Sequence, residues 1–242
     1  SLITQPEAAV CPAPPENSAT SLTLIPSFDL NDTLYPSSSS LTNIDTKTSF
    51  ILLPISTSPS CSPSKAFVFL INSLNFSKVW VLDVHSNVSL ALLNHVDEEK
   101  PFFPISNTLD SLKDEDPLLF YPDEGAMKRY SEIFVQPYSF GMKKRDWATG
   151  KIEGLTIINP ENVKDRNILI IDDICSRGGT FYHSAKALKE AGAKDIYLYV
   201  SHLEDTVLKG ELIESDLIKR IYTSGKSIYS TKKENHEKII LV

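Results

Sequence analysis

One stretch, residues 167–180, limits this chain to a small set of folds. Four consecutive apolar residues, Ile168, Leu169, Ile170 and Ile171, run into two carboxylates, Asp172 and Asp173, and then into Gly178, Gly179 and Thr180. An unbroken apolar run of this length suits the centre of a parallel sheet covered on both faces. In such sheets ligands gather beyond the carboxyl ends of the strands, where both aspartates fall. Paired glycines let the main chain approach an anion closely, and Thr180 adds a hydroxyl and an N–H at a helix N-terminus. Carboxylates suit sugar hydroxyls and amides suit a phosphate, so the pattern reads as a sugar-phosphate cradle. The ordinary alternative is a buried strand followed by an acidic turn.

Three further patterns lie upstream. Residues 79–82 are an apolar strand that ends in polar positions, Asp83 and His85. Residues 118–121 form a second apolar strand, followed by Pro122, Asp123, Glu124 and Gly125. Lys143, Lys144, Arg145 and Asp146 then occupy a polar stretch before Thr149 and Gly150. Each has an ordinary reading. A histidine at a strand end is commonly structural, a Pro-Asp-Glu-Gly sequence is a good turn, and a basic run is commonly a solvated one. Their occurrence together, in this order, favours function.

The glycine-rich string resembles the ribose 5-phosphate loop of the type I phosphoribosyltransferase fold. The full series, over about residues 66 to 229, resembles that of the ribose-phosphate diphosphokinases (phosphoribosyl pyrophosphate synthetases). The resemblance implies that Asp172 and Asp173 hold the ribose hydroxyls while Cys175, Ser176, Arg177, Gly178, Gly179 and Thr180 wrap the 5-phosphate. It implies that His85 and Asp123 belong to a magnesium site, directly or through water. It further implies that Lys143 and Arg145 lie on a mobile catalytic loop with Gly141 and Gly150 as hinges. The implied reaction moves a pyrophosphoryl group from ATP to the anomeric hydroxyl of ribose 5-phosphate, releasing AMP. ATP would be the co-substrate, magnesium the cofactor and the assembly a homo-oligomer. Around Ser201, His202 and Gly210 the sequence departs from the family's short Thr-His-Gly pattern. It looks there like a divergent branch of phages and some bacteria, which makes ADP-ribose an alternative acceptor. A phosphoribosyltransferase would use the same cradle, and a non-catalytic relative is a third reading.

Composition narrows the field. A formal net charge of −7 over 242 residues argues against an extended nucleic-acid footprint. A few local cations in an acidic protein suit a small anionic substrate. Cys11, Cys61 and Cys175 form neither a disulfide framework nor a zinc cluster. A helix N-terminus could lower the pKa of Cys175, yet it reads as a loop residue and not a nucleophile. No apolar run is long enough for a membrane span and the start lacks a signal-peptide pattern, so the expected setting is the cytoplasm.

Residues 1–64 are of another kind. They hold fourteen serines, nine of the fifteen prolines, one basic residue (Lys47) and no glycine. They read as linker or disorder, with residues 50–54 the best strand candidate. The adenine-holding Arg-Gln-Asp motif of the diphosphokinases is found nowhere in the chain. Divergence, a replaced N-terminus and a reading-frame error upstream of residue 65 are the three explanations.

From residue 65 the pattern alternates. Helices are expected at 65–75, 88–95, 125–134, 179–191 and 206–214. Strands are expected at 78–83, 117–121, 135–140, 151–158, 167–172, 195–201, 218–223 and 238–242. The acidic segment 97–116 reads as a connection. The resulting fold class is α/β, a phosphoribosyltransferase-like, mostly parallel sheet with helices on both faces. Residues 65–108 would be the remnant of a first domain and 109–242 a complete second domain.

Overall fold

Ile168, Leu169, Ile170 and Ile171 are all fully buried, and their strand has a parallel neighbour on each side. Removing each such side chain from water contributes about 1.5–3 kcal/mol, so this run organises everything around it. The computed structural model describes residues 25–27, 49–51, 63–145, 152–225, 227, 229 and 236–242.

Strands β1 (Ile25–Ser27) and β2 (Ser49–Ile51) pair antiparallel, the second overlapping the strand expected at 50–54. The rest of the serine- and proline-rich segment up to residue 62, with Cys11 and Cys61, lies outside the described residues. A small unit comes next, made of α1 (Pro63–Ser73), β3 (Val79–Leu82), α2 (Asn87–Leu92) and β4 (Val96–Glu99). Its strands β3 and β4 are parallel, and Phe67, Ile71, Val79, Val81, Val84 and Leu93 form its core.

Helix α3 (Phe102–Ser111) leads into the main sheet. That sheet comprises β5 (Leu118–Tyr121), β6 (Tyr138–Arg145), β7 (Ile152–Ile158), β8 (Ile168–Cys175), β9 (Ile196–Leu203), β10 (Arg220–Thr223) and β11 (Ile239–Leu241). Its spatial order is β11-β10-β9-β8-β5-β6-β7, and every neighbouring pair is parallel except β6 with β7. Helices α4 (Glu124–Tyr130), α5 (Gly179–Glu190) and α6 (Glu211–Glu214) complete the fold. The strand pleat divides the interior in two. Ile168 and Ile170 pack under α5 with Phe181, Ala185 and Leu188, whereas Leu169 and Ile171 pack on the other face with Ile105 of α3 and Ala126 and Tyr130 of α4. The chain is thus an α/β protein with a mostly parallel sheet and helices on both faces.

Several boundaries move from their expected places. The segment 97–116 is not a bare connection, since it holds β4 and α3. Pro101 precedes α3 and Pro104 sits in its first turn, where no intrahelical N–H is required, so neither proline opposes the helix. A division at 108/109 falls inside α3, whose buried Ile105 belongs to the core of the main sheet. Strand β8 runs on through Asp172 and Asp173 to Cys175, because β9 accompanies it as far as Leu203. The helix expected at 206–214 is a 3-10 segment, Asp205–Lys209, followed by α6, with Gly210 extended between them (φ −104°, ψ 153°). By contrast α5 stops as expected at Gly192, which takes φ 93°.

The basic stretch departs furthest from expectation. Lys143 and Arg145 are placed by the backbone in β6, not in a loop, with Lys143 opposite Leu155 and Arg145 opposite Ile152. Beyond Phe140, β6 has lost β5 as a neighbour and pairs only with β7, so the two strands form a hairpin arm with an irregularity between Lys144 and Arg145. Asp146, Thr149 and Gly150 lie outside the described residues. Gly141 is a paired strand residue, opposite Ile157, and its role is close packing. A Cβ there would lie 2.6 Å from Leu155 Cδ1 and 2.9 Å from the Pro122 carbonyl oxygen. Gly141→Ala should therefore lower stability by about 1–3 kcal/mol in urea unfolding. Unchanged stability would restore the hinge.

Candidate functional site

The pleat that divides the core also separates the two adjacent carboxylates. Continuing the alternation of β8, Asp172 falls on the α5 face and Asp173 on the face of α3 and α4. Their surroundings differ accordingly. Asp173 is almost fully buried, with its Oδ2 2.6 Å from Nδ1 of His85 and 2.6 Å from Nη1 of Arg129. Arg129 Nη2 also donates to the main-chain oxygen of His85 at 2.6 Å. Burial alone would raise the Asp173 carboxyl, but the His85 hydrogen bond and the Arg129 charge outweigh it and hold the group well below the usual carboxylate range. Asp172 has no such partner among the described residues. Its Oδ1 accepts from the Asp173 N–H at 3.0 Å, and burial, followed by the neighbouring Asp173 charge, pushes its pKa well above the ordinary value.

His85 is reached from the small unit, three residues after β3, and its ring is largely exposed. Its hydrogen bond to Asp173 raises its pKa above the usual histidine value. With Nδ1 engaged, Nε2 is the nitrogen left for a ligand. Asp123 caps α4, its Oδ1 accepting from Ala126 N–H at 2.9 Å, and this is why the helix starts at Glu124.

The phosphate-type loop comes directly after β8. Gly178 adopts φ 80° and caps α5. A Cβ on it would sit 2.6 Å from Leu212 Cδ2, so this position requires glycine on two counts. Gly179 meets nothing within 4 Å and leaves the helix N-terminus open. From the other side, a Cβ on Gly210 would come within 2.0 Å of the Arg177 carbonyl oxygen. Gly210 and Leu212 therefore buttress the loop, which explains the broken helix in this region. Ser176 and Arg177 are exposed and Thr180 is half-buried. Cys175 is in the core beneath α5, and burial drives its thiol far above the ordinary value. Only its main chain can face the cavity, and it is no nucleophile.

These parts enclose one cavity of about 760 Å³, which brings together His85, Asp123, Asp172, Asp173 and residues 175–180. The hairpin reaches it through Gly141 and Met142. The side chains of Lys143 and Arg145 are not among those described. Exposed amides at the start of α5 can take an anion, and Asp172 can accept from hydroxyl groups. Among the described residues no group of three His, Cys, Asp or Glu could hold a metal ion. His85 and Asp123 are the groups at this rim that could hold a hydrated magnesium ion through water.

Arg129 was not among the expected site residues. Lys128 and Arg129 look alike at the end of a short helix. Only their offset from the buried Ala126 separates them, Arg129 lying three residues on and therefore on the inward stripe.

A model of the phosphoribosyl transferase domain matches residues 131–225. A ribose-phosphate pyrophosphokinase of Pyrococcus abyssi is 30% identical over 135 residues, covering 53% of this chain and 45% of that protein. One from Saccharolobus solfataricus is 29% identical over 144 residues, covering 57% and 48%. The chain thus spans about half the length of these curated relatives. Among solved structures, the phosphoribosylpyrophosphate synthetase of Mycobacterium smegmatis superposes with a TM-score of 0.60 at 19% identity, covering 74% of this chain and 58% of that one, a likeness of fold. Residues 131–225 thus match the phosphoribosyl transferase domain, and the chain is similar to ribose-phosphate pyrophosphokinases over about half of their length.

Proposed function

We propose that this chain binds a ribose 5-phosphate moiety and serves the transfer of pyrophosphate from ATP to its anomeric hydroxyl. The observation that carries the reading is one cavity in which an open helix N-terminus stands beside Asp172, with His85 at the same rim. The 5-phosphate sits against the amides of residues 176–180, and Asp172 accepts from the 2- and 3-hydroxyls. Asp173 acts on the ribose side mainly through His85, because its accessible charge is already matched by His85 and Arg129.

In the reaction the anomeric oxygen attacks the β-phosphorus, the bond from that phosphorus to the α-bridging oxygen breaks, and AMP leaves. Protein help in such transfers is positioning and charge neutralisation. Magnesium, when bound, would neutralise phosphate charge and orient the chain of phosphates. Lys143 and Arg145, on the hairpin arm, supply cations to the oxygens that gain charge in the transition state. An acceptor larger than ribose 5-phosphate, such as ADP-ribose, is the second reading. The observation favouring it is the altered segment behind the loop, where Gly210 and Leu212 press on residues 177 and 178. Homo-oligomeric assembly, a cytoplasmic setting and independence from nucleic acid belong to the same proposal. No helix among the described residues is long and apolar enough to cross a membrane.

The deciding experiment is an AMP-release assay with ATP, magnesium and either ribose 5-phosphate or ADP-ribose, run beside a binding titration with phosphoribosyl pyrophosphate. Turnover names the acceptor. Saturable binding without AMP release, the outcome expected of a chain without the adenine motif, favours the non-catalytic relative. Absence of both discards the cradle.

The two aspartates should separate cleanly. Asp172→Asn is expected to abolish saturable ribose-phosphate binding while leaving stability equal or higher, since it removes a poorly solvated charge. Asp173→Asn leaves Arg129 without its counter-ion and should cost on the order of 3 kcal/mol in urea unfolding. Equal stability effects would contradict the assignment. Where turnover is found, Lys143→Ala or Arg145→Ala should lower kcat by a factor on the order of 10² with a smaller change in KM. A change confined to KM would reassign the pair to uniform substrate binding.

A further inference from the structure

A second polar cluster lies behind the cavity, where the tip of β3 meets β9. Asp83 is fully buried there and takes φ 44°, a left-handed conformation that costs a non-glycine residue about 1–2 kcal/mol. Such a residue persists only where its surroundings hold it. They do so from three directions. Tyr130 OH donates to Asp83 Oδ2 at 2.7 Å and Ser201 Oγ donates to the same atom at 2.5 Å. The main chain on either side is tied as well. His202 Nε2 lies 2.9 Å from the Leu82 carbonyl oxygen, which its N–H meets as donor, and the Asp83 N–H donates to the Glu99 carbonyl at 2.9 Å.

The turn matters because it sets the course of the chain toward His85. An extended residue at 83 would continue β3 along its own line. The left-handed bend redirects the chain, and two residues later the His85 ring meets Asp173 at 2.6 Å. Arg129, the neighbour of Tyr130 on α4, holds the His85 carbonyl from the other side. We propose that Asp83 is a positioning residue: gripped by Ser201 and Tyr130, it fixes the turn after β3 that delivers His85 to Asp173. Ser201 and His202 thereby gain a purpose, since they lie in the segment that departs from the family pattern and touch the β3 tip.

The inference deepens the proposed function, because the value of a fixed His85 rests on that reading. Its test reads the geometry of His85 alone and needs no nucleotide. The chain is labelled with 15N-histidine, and the His85 signals are identified by their loss in His85→Ala. Ser201→Ala and Asp83→Asn are then compared with the unaltered chain and with Asp173→Asn. The expected result is loss of the hydrogen-bonded His85 Nδ1–H signal to solvent exchange, with ring shifts moving toward those of Asp173→Asn. Ser201→Thr, which keeps the hydroxyl, should restore the original spectrum. Thermal melts of the same samples report any general destabilisation. Ser201→Ala removes one donor and leaves Tyr130 in place, so it reports even if Asp83→Asn does not fold. Unchanged His85 signals in either folded variant would overturn the proposal, whatever the melting temperature does.

Discussion

The contact between Asp173 and its two partners, His85 and Arg129, is the interaction on which the site depends. A carboxylate at this depth is costly unless paired, and its partners come from two different parts of the chain. His85 arrives from the small parallel pair, and Arg129 from the helix after β5. One charge therefore joins the small unit to the main sheet at the point where the cavity opens. It is the contact that brings the rim residue to the cradle. The buried hydroxyls around Asp83 reinforce the same junction from below, and these polar contacts are directional in a way that apolar packing alone is not.

Much of this could be read from the residues. The Ile-Leu run, the two aspartates and the two glycines located the central strand, the loop and the adjoining helix to within a few positions, because each rests on local chemistry. Apolar runs demand burial, and glycine alone tolerates the left-handed cap at position 178. The elements that eluded the sequence are those set by distant neighbours. Strand β8 outlasts its apolar run because β9 continues beside it. Segment 97–116 looked like a connection because its prolines and acids hide a helix whose first turn tolerates proline. The basic stretch looked like a loop because its polarity is that of a solvated turn, although β7 pairs with it.

The site shows the same division. Residue types were legible, but not their orientation. Two neighbouring aspartates looked equivalent, and only the pleat distinguishes them. Arg129 escaped notice because its importance comes from Asp173, more than forty residues away in the chain. Cys175 was counted with the loop, whereas the extension of β8 places its side chain in the core. These are tertiary facts, fixed by packing and ion pairing between segments that no local pattern joins.

The alternation of β8 has an evolutionary consequence for the gene. With parallel partners on both sides, this strand cannot shift by one residue without turning every buried side chain to the opposite face. Inserting a single codon between positions 168 and 171 would put Ile171 where Asp172 faces the loop, and deleting one would put Ile174 where Asp173 meets His85 and Arg129. Substitutions can be accepted along this strand one at a time, but changes of length cannot. The ancestry of the loop should accordingly be written in replacements, with insertions confined to the segments around it.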